Sequence, residues 1–204
     1  WVSNAGVGHV LSSRKADGTW KSYELSGIST QLVSKIVVTK NDDKWLMVRR
    51  NGLYVLNSAN SISKAQKVVA YFKNEAQEIF TDMNDVTSLA EDNDGALWVG
   101  TSSGIAVFSS PEKVWKDATM YAYRPSLNLR DGKFHPLLEE ESITAIAVDG
   151  ANRKWIGTKA SGVYLVSDNG ETEIEHFTKD NSPLLNNEIT DITINQKTGE
   201  VFFG

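Results

Sequence analysis

The chain has 204 residues, of which 40% are hydrophobic, with 15 Gly, 4 Pro, no Cys and a formal net charge of -5 at neutral pH. That apolar share is enough for a packed core and excludes a disordered chain. Scattered Lys and Arg form no basic stripe, which excludes nucleic acid as a partner, and the absence of Cys excludes disulfides, Cys-ligated zinc and thiol catalysis.

No apolar run approaches the roughly 20 residues that a bilayer-crossing helix needs, so no membrane span is predicted in this chain. It opens at Trp1 with neither Met nor a signal-peptide pattern, and is read as a piece of a longer polypeptide whose targeting signal lies outside it. Short runs rich in Val, Ile, Thr and aromatic residues, bounded by Asn, Asp and Gly, predict an all-β protein of strands and tight turns.

Taken in order, an anchor strand starts at Trp1, and an outer strand is predicted over Trp20 to Tyr23. Val33 to Val38 forms a first strand, Asn41-Asp42-Asp43 a turn, Trp45 to Val48 a second strand, and Leu53 to Leu56 a third that follows Gly52. Val68 to Phe72 is the fourth. The same order returns as Val86 to Ala90, the turn Asp92-Asn93-Asp94-Gly95, Trp98 to Thr101, Gly104 to Phe108 and Met120 to Tyr123. It returns again as Ile143 to Val148, Asp149-Gly150-Ala151-Asn152, Trp155 to Thr158, Gly162 to Val166 and Ile174 to Phe177. A last copy runs from Ile189 to Ile194 through Asn195 to Gly199 and reaches Phe202-Phe203-Gly204.

The anchors Trp1, Trp45, Trp98, Trp155 and Phe202 are 44, 53, 57 and 47 residues apart. Four strands in a repeat of about 50 residues describe one blade of a β-propeller, so residues 1–204 are read as one domain of about four blade-equivalents within a larger propeller. The first strand, near-continuous in Ile, Val and Ala, is expected to be covered on both faces by neighbouring blades. The anchor tryptophan is expected to pack between adjacent sheets, burying on the order of 150 to 250 Å².

The string from Glu91 to Ile105, with Asp92, Gly95, Trp98, Gly100, Thr101 and Gly104 at its fixed points, resembles the two-component regulator propeller repeat. Ala147 to Thr158 fits the same pattern, whereas Ser3 and Met47 stand where the repeat has Gly. With Gly162 to Val166 and the tail from Asn187 to Gly204, the wording resembles PorZ-like components of the type IX secretion system of Bacteroidetes. The resemblance implies a non-catalytic propeller in the periplasm or at the cell surface. It would engage a protein partner of the cell envelope and an oligosaccharide or anionic lipopolysaccharide. The same repeat builds the extracytoplasmic, glycan-recognising half of hybrid histidine kinases, which is the alternative reading, with a propeller lyase or glycosidase a distant third.

The longest stretch between strands, Lys116 to Glu141, carries Tyr121, Tyr123, Arg124, Arg130 and His135, with Glu139, Glu140 and Glu141. Loops on rigid scaffolds carry binding, and aromatic rings beside Arg suit sugars or acidic groups, so these five residues are the ligand-binding candidates. Changing Arg124 or His135 is expected to leave stability nearly untouched. His9, His135 and His176 fall in different repeats without ligand spacing, and no metal site or cofactor is predicted. Acidic residues recur at hairpin turns and no nucleophile stands near a base, so no catalytic residue is assigned.

Overall fold

The computed structural model describes residues 1–4, 7–25, 28, 33–48, 51–57, 66–67, 69–73, 79–80, 85–116 and 119–204. Its strands fall into antiparallel sheets that follow the sequence repeat. The first is β1 (Val2–Ser3), β2 (Leu11–Arg14) and β3 (Trp20–Tyr23); the second is β4 (Val33–Val38), β5 (Asp43–Val48), β6 (Gly52–Asn57) and β7 (Gln66–Lys67). β8 (Val69–Lys73) and β9 (Ile79–Phe80) then precede the third, β10 (Val86–Glu91), β11 (Leu97–Thr101), β12 (Gly104–Phe108) and β13 (Thr119–Tyr123). The fourth is β14 (Ile143–Val148), β15 (Lys154–Thr158), β16 (Val163–Val166) and β17 (Glu173–Phe177), and β18 (Ile192–Ile194) pairs with β19 (Val201–Phe203).

Two expectations are corrected by the pairing. The outer strand of the second blade is β7, and β8, which takes in most of the predicted Val68 to Phe72, instead runs parallel to β13 on the outer edge of the third blade. Val68 itself lies outside the described residues. The most enclosed strands are also the central ones: β5, β11 and β12 are buried at every position, whereas β4, β10 and β14 are only partly buried along their length. A central strand has a neighbour on each side as well as a sheet on each face, and a first strand has a neighbour on one side only.

Trp45 and Trp98 pack between sheets as their sequence position predicts, whereas Trp155, Trp1 and Phe202 are less enclosed. Trp45 sits among Leu89, Val99, Ala106 and Phe108 of the following blade, and Trp98 among Ile146, Ile156 and Val166 of its own successor. Both are 0% exposed. Trp155 is half-buried against Ile189, Ile192 and Phe203, and Trp1 is exposed. Gly100 follows from the same crowding, because a Cβ there would lie 2.6 Å from Ile143 Cγ2, and at Gly157 one would lie 2.7 Å from Ile189 Cγ2. Where Met47 replaces this Gly, the first-strand residue of the next blade is the smaller Val86, and both are buried in one cluster.

The turn aspartates do more than turn the chain. One oxygen of Asp92 accepts the amides of Asp94 and Ala96, and the other accepts Trp98 Nε1–H at 2.9 Å. Asp149 repeats the device on Ala151, Arg153 and Trp155. Lys154, 0% exposed, reaches back from the fourth blade to Asp92 Oδ2 at 3.1 Å and lies 4.5 Å over the Trp98 ring. In the second blade Thr39 holds the aspartate's place, and Trp45 Nε1, buried, has no hydrogen-bond partner among the described residues.

Trp98→Ala is expected to cost about 3 to 5 kcal/mol, the cost of a cavity between blades, and more than Trp155→Ala, whose ring is only half-buried. Chemical denaturation of the two variants checks the order. Burial works to raise the Asp92 pKa, but the Trp98 and Lys154 hydrogen bonds, the Lys154 charge and the Ala96 amide outweigh it and hold the pKa below 3.8. A carboxylate depressed in this way stabilises the fold above its unfolded pKa and loses that contribution as pH falls through the folded one. Melting temperature should therefore fall as pH drops below 3.8, and fall less steeply in Asp92→Asn. Lys154→Ala, which strands Asp92 in the core, should cost about 3 to 5 kcal/mol at neutral pH, and Lys154→Met less.

Candidate functional site

Tyr121 and Tyr123 stand two apart on β13 and therefore share one face of its strand, with 50% and 44% of their surface exposed. Their neighbours Met120 and Ala122 point the other way, into the cluster around Trp45. Burial first, and then the carboxylates of Asp92 and Glu171, raise the Tyr123 pKa, which keeps its hydroxyl a neutral donor.

Beyond Tyr123 the chain does not arch away as a free loop. Leu127 N–H donates to the His135 carbonyl and Leu137 N–H to the Pro125 carbonyl, at 2.8 and 2.7 Å, zipping the two arms together. Leu137, 1% exposed, drives this double strand into the seam between third and fourth blades beside Trp98. The Asn128 amide donates to the Glu171 carbonyl of the fourth blade, and Gly170 fits so closely that a Cβ would stand 2.9 Å from the Trp98 ring. The insertion is a wedge.

Arg124 is a clamp on that wedge. Its Nη2 donates to the Ser103 carbonyl at 2.6 Å and its Nη1 lies 3.4 Å from Glu139 Oε1, with only 17% of the side chain exposed. The turn it holds is close-fitting: a Cβ on Gly104, whose φ is +86°, would meet the Leu138 and Leu137 carbonyls at 2.7 and 2.8 Å. The expectation that Arg124 is dispensable for stability is therefore corrected, because the guanidinium ties the wedge to the β11–β12 turn.

Arg130 and His135 lie at the wedge's outer tip. Arg130 is exposed with φ of 57°, and His135 Nε2 is 2.8 Å from Asp131 Oδ2. Hydrogen bonds from His135 and the Lys133 amide lower the Asp131 pKa. The structure thus gathers Tyr121 and Tyr123 on one strand face and His135, Asp131 and Arg130 at one tip, while Arg124 turns inward to structural partners. Among the described residues the His135 imidazole is paired with Asp131, and the Ser126 hydroxyl accepts the His135 backbone amide rather than meeting the ring. The arrangement can present flat rings, a neutral phenol, an imidazole and a cation to a ligand. Among the described residues no group of His, Asp or Glu is placed to hold a metal ion, and no helix is long and apolar enough to cross a membrane.

A second feature has no counterpart in the sequence reading. A cleft of about 850 Å³ opens beside Trp155, walled by Phe177, Leu184, Leu185, Val201 and Phe203. Its only signal in the sequence is the apolar run Pro183-Leu184-Leu185 inside an otherwise polar connection.

Residues 82–103 match the two component regulator propeller family. Histidine kinase P4 of Formosa agariphila is 29% identical over 89 residues, covering 44% of this chain and 6% of that protein. Among solved structures, PorZ, a surface component of the type-IX secretion system of Porphyromonas gingivalis, aligns with a TM-score of 0.83 at 24% identity, covering 98% of this chain and 28% of that one. The gluconolactonase XC5397 from Xanthomonas campestris aligns with a TM-score of 0.62 at 16% identity, over 98% of this chain and 63% of that one. The described blades thus correspond to part of a larger propeller. The chain has a β-propeller fold like that of PorZ, and one stretch of it, residues 82–103, matches the two component regulator propeller family.

Proposed function

We propose that this chain is a non-catalytic binding and docking propeller of the bacterial cell envelope, a PorZ-like component of type IX secretion at the periplasm or outer-membrane surface. It engages an envelope protein and an anionic polysaccharide. The observation that carries the reading is the likeness to PorZ along 98% of the chain. The tip of the wedge supplies the chemistry: Arg130 and His135 suit acidic sugar groups, and Tyr121 and Tyr123 offer ring faces for apolar sugar faces.

Binding of purified anionic lipopolysaccharide, measured by calorimetry against neutral dextran, tests this reading. Arg130→Ala and His135→Ala should each weaken binding about tenfold, one lost charged hydrogen bond, with the melting temperature kept. Arg124→Ala should lower the melting temperature as well. Unchanged affinity in the Arg130 and His135 variants would remove the tip from the binding site.

The 29% identical stretch of a histidine kinase favours one other reading, an extracytoplasmic glycan sensor. Tight binding of a neutral oligosaccharide that depends on Tyr121 and Tyr123, with no response to the anionic polymer, would favour the sensor. The gluconolactonase likeness is one of fold, and turnover of gluconolactone by the purified chain would overturn the non-catalytic assignment.

A further inference from the structure

The chain contains two Asn-Gly pairs, Asn51-Gly52 and Asn169-Gly170, and the fold holds them in opposite ways. In such a pair the glycine nitrogen can attack the side-chain amide carbon of the asparagine, because no Cβ hinders the approach. The outcome depends on which end of that amide is held. At Asn51 it is the nitrogen: Nδ2 donates to the Tyr54 hydroxyl at 2.9 Å, and the buried Gly52 is paired with Val48 at the start of β6.

At Asn169, exposed on the β16–β17 turn, it is the oxygen. Oδ1 accepts the Ser167 hydroxyl at 2.8 Å and the Glu171 amide at 3.0 Å. The Ser167 oxygen accepts the Thr172 amide at 3.0 Å in turn, which polarises its own O–H toward Asn169. Both donors are therefore aimed at the atom that takes negative charge when Gly170 attacks. The leaving nitrogen, Nδ2, has no partner among the described residues.

We propose that Asn169 is a site of self-assisted deamidation. The Gly170 nitrogen bonds to Asn169 Cγ and loses its proton to solvent, the Cγ–Nδ2 bond breaks, and ammonia leaves with a proton from solvent. A cyclic imide remains, and water opens it at one or the other carbonyl to give aspartate or isoaspartate.

The turn carries the seam between the third and fourth blades. Lys154 Nζ donates to the Asp168 carbonyl, and the Asn128 amide donates to the Glu171 carbonyl. Gly170 is packed so closely that a Cβ would lie 2.9 Å from the Trp98 ring and 3.0 Å from Pro125 Cβ. Isoaspartate adds a methylene to the main chain where one extra carbon has no room, and either product sets a new carboxylate between Asp168 and Glu171. Conversion thus loosens the seam and the wedge pinned across it, whatever the wedge binds.

The test keeps the purified protein in warm, mildly alkaline buffer and follows both Asn-Gly peptides by mass spectrometry, scoring isoaspartate with an isoaspartyl methyltransferase. In the folded protein Asn169 should convert about tenfold faster than Asn51, the worth of one hydrogen bond to the developing oxyanion. In denaturant, where only the shared dipeptide remains, the two rates should meet. Ser167→Ala, folded at the incubation temperature, should slow Asn169 by about the same factor and leave Asn51 unchanged. Converted chains, separated by ion exchange, should melt below unconverted ones. A folded-state rate at Asn169 no higher than at Asn51, or one that Ser167→Ala leaves unchanged or raises, would overturn the proposal. Converted chains that melt with the unconverted ones would overturn the effect on the seam.

Discussion

The fold depends on one carboxylate used twice. Asp92 closes the β10–β11 turn with one oxygen and holds the Trp98 indole with the other, and Asp149 does the same for Trp155. A turn with no contact beyond its own hairpin would fix local geometry only. This one fixes the rotamer of the ring that fills the seam to the next blade, so hairpin formation and blade stacking are coupled through two bonds of one side chain. Lys154 extends the coupling outward by placing its ammonium on Asp92 and its stem over the same ring. A buried ion pair gains little net stability over an apolar isostere, but breaking it costs several kcal/mol. It therefore favours one register of blade on blade more than it adds to stability.

The second blade shows what happens when this device is absent. Thr39 cannot replace both oxygens of the aspartate, and the Trp45 indole N–H is buried with no partner among the described residues. The seam compensates with shape: Leu97 stands where Lys44 and Lys154 stand in other repeats, and Phe108 stacks on the indole. Trp115 crosses the same seam and donates its own N–H to Asp43 at 2.9 Å, binding the third blade to the second by a different route. The repeat tolerates such exchanges because each seam is satisfied locally, by whichever side chains its two sheets bring together.

Much of this was legible in the sequence, for physical reasons. The period, the anchors and the turns could be read because each repeats a local constraint: a ring for the seam, a left-handed turn residue, a glycine where Gly100 and Gly157 meet Ile143 and Ile189. The path of β8 could not, since Val69 to Lys73 has the composition of an outer strand and only pairing decides which blade receives it. The five candidate residues were chosen as one stretch of sequence, and the structure divides them between a strand face, a tip and a clamp; the inward turn of Arg124 depends on the Ser103 carbonyl that tertiary packing brings to it. The cleft was invisible for a related reason. Leu184, Phe177 and Val201 belong to different elements, and no spacing along the chain marks their convergence.

Shifted ionisation usually marks a site of chemistry, yet here the buried carboxylates whose pKa values are depressed already have complete sets of structural partners. Asp92 serves a turn, a ring and a lysine, and Asp149 a turn, a ring and Arg153. Carboxylates so engaged cannot act as general bases without dismantling a seam. The groups proposed to bind a ligand lie apart from these carboxylates: Tyr121 and Tyr123 on β13, and Arg130 and His135 on a wedge whose backbone is zipped along its length and anchored to both blades by Leu137 and Arg124. The same stapling that holds the seam together also fixes the backbone of its outer edge, on which the proposed ligand groups sit.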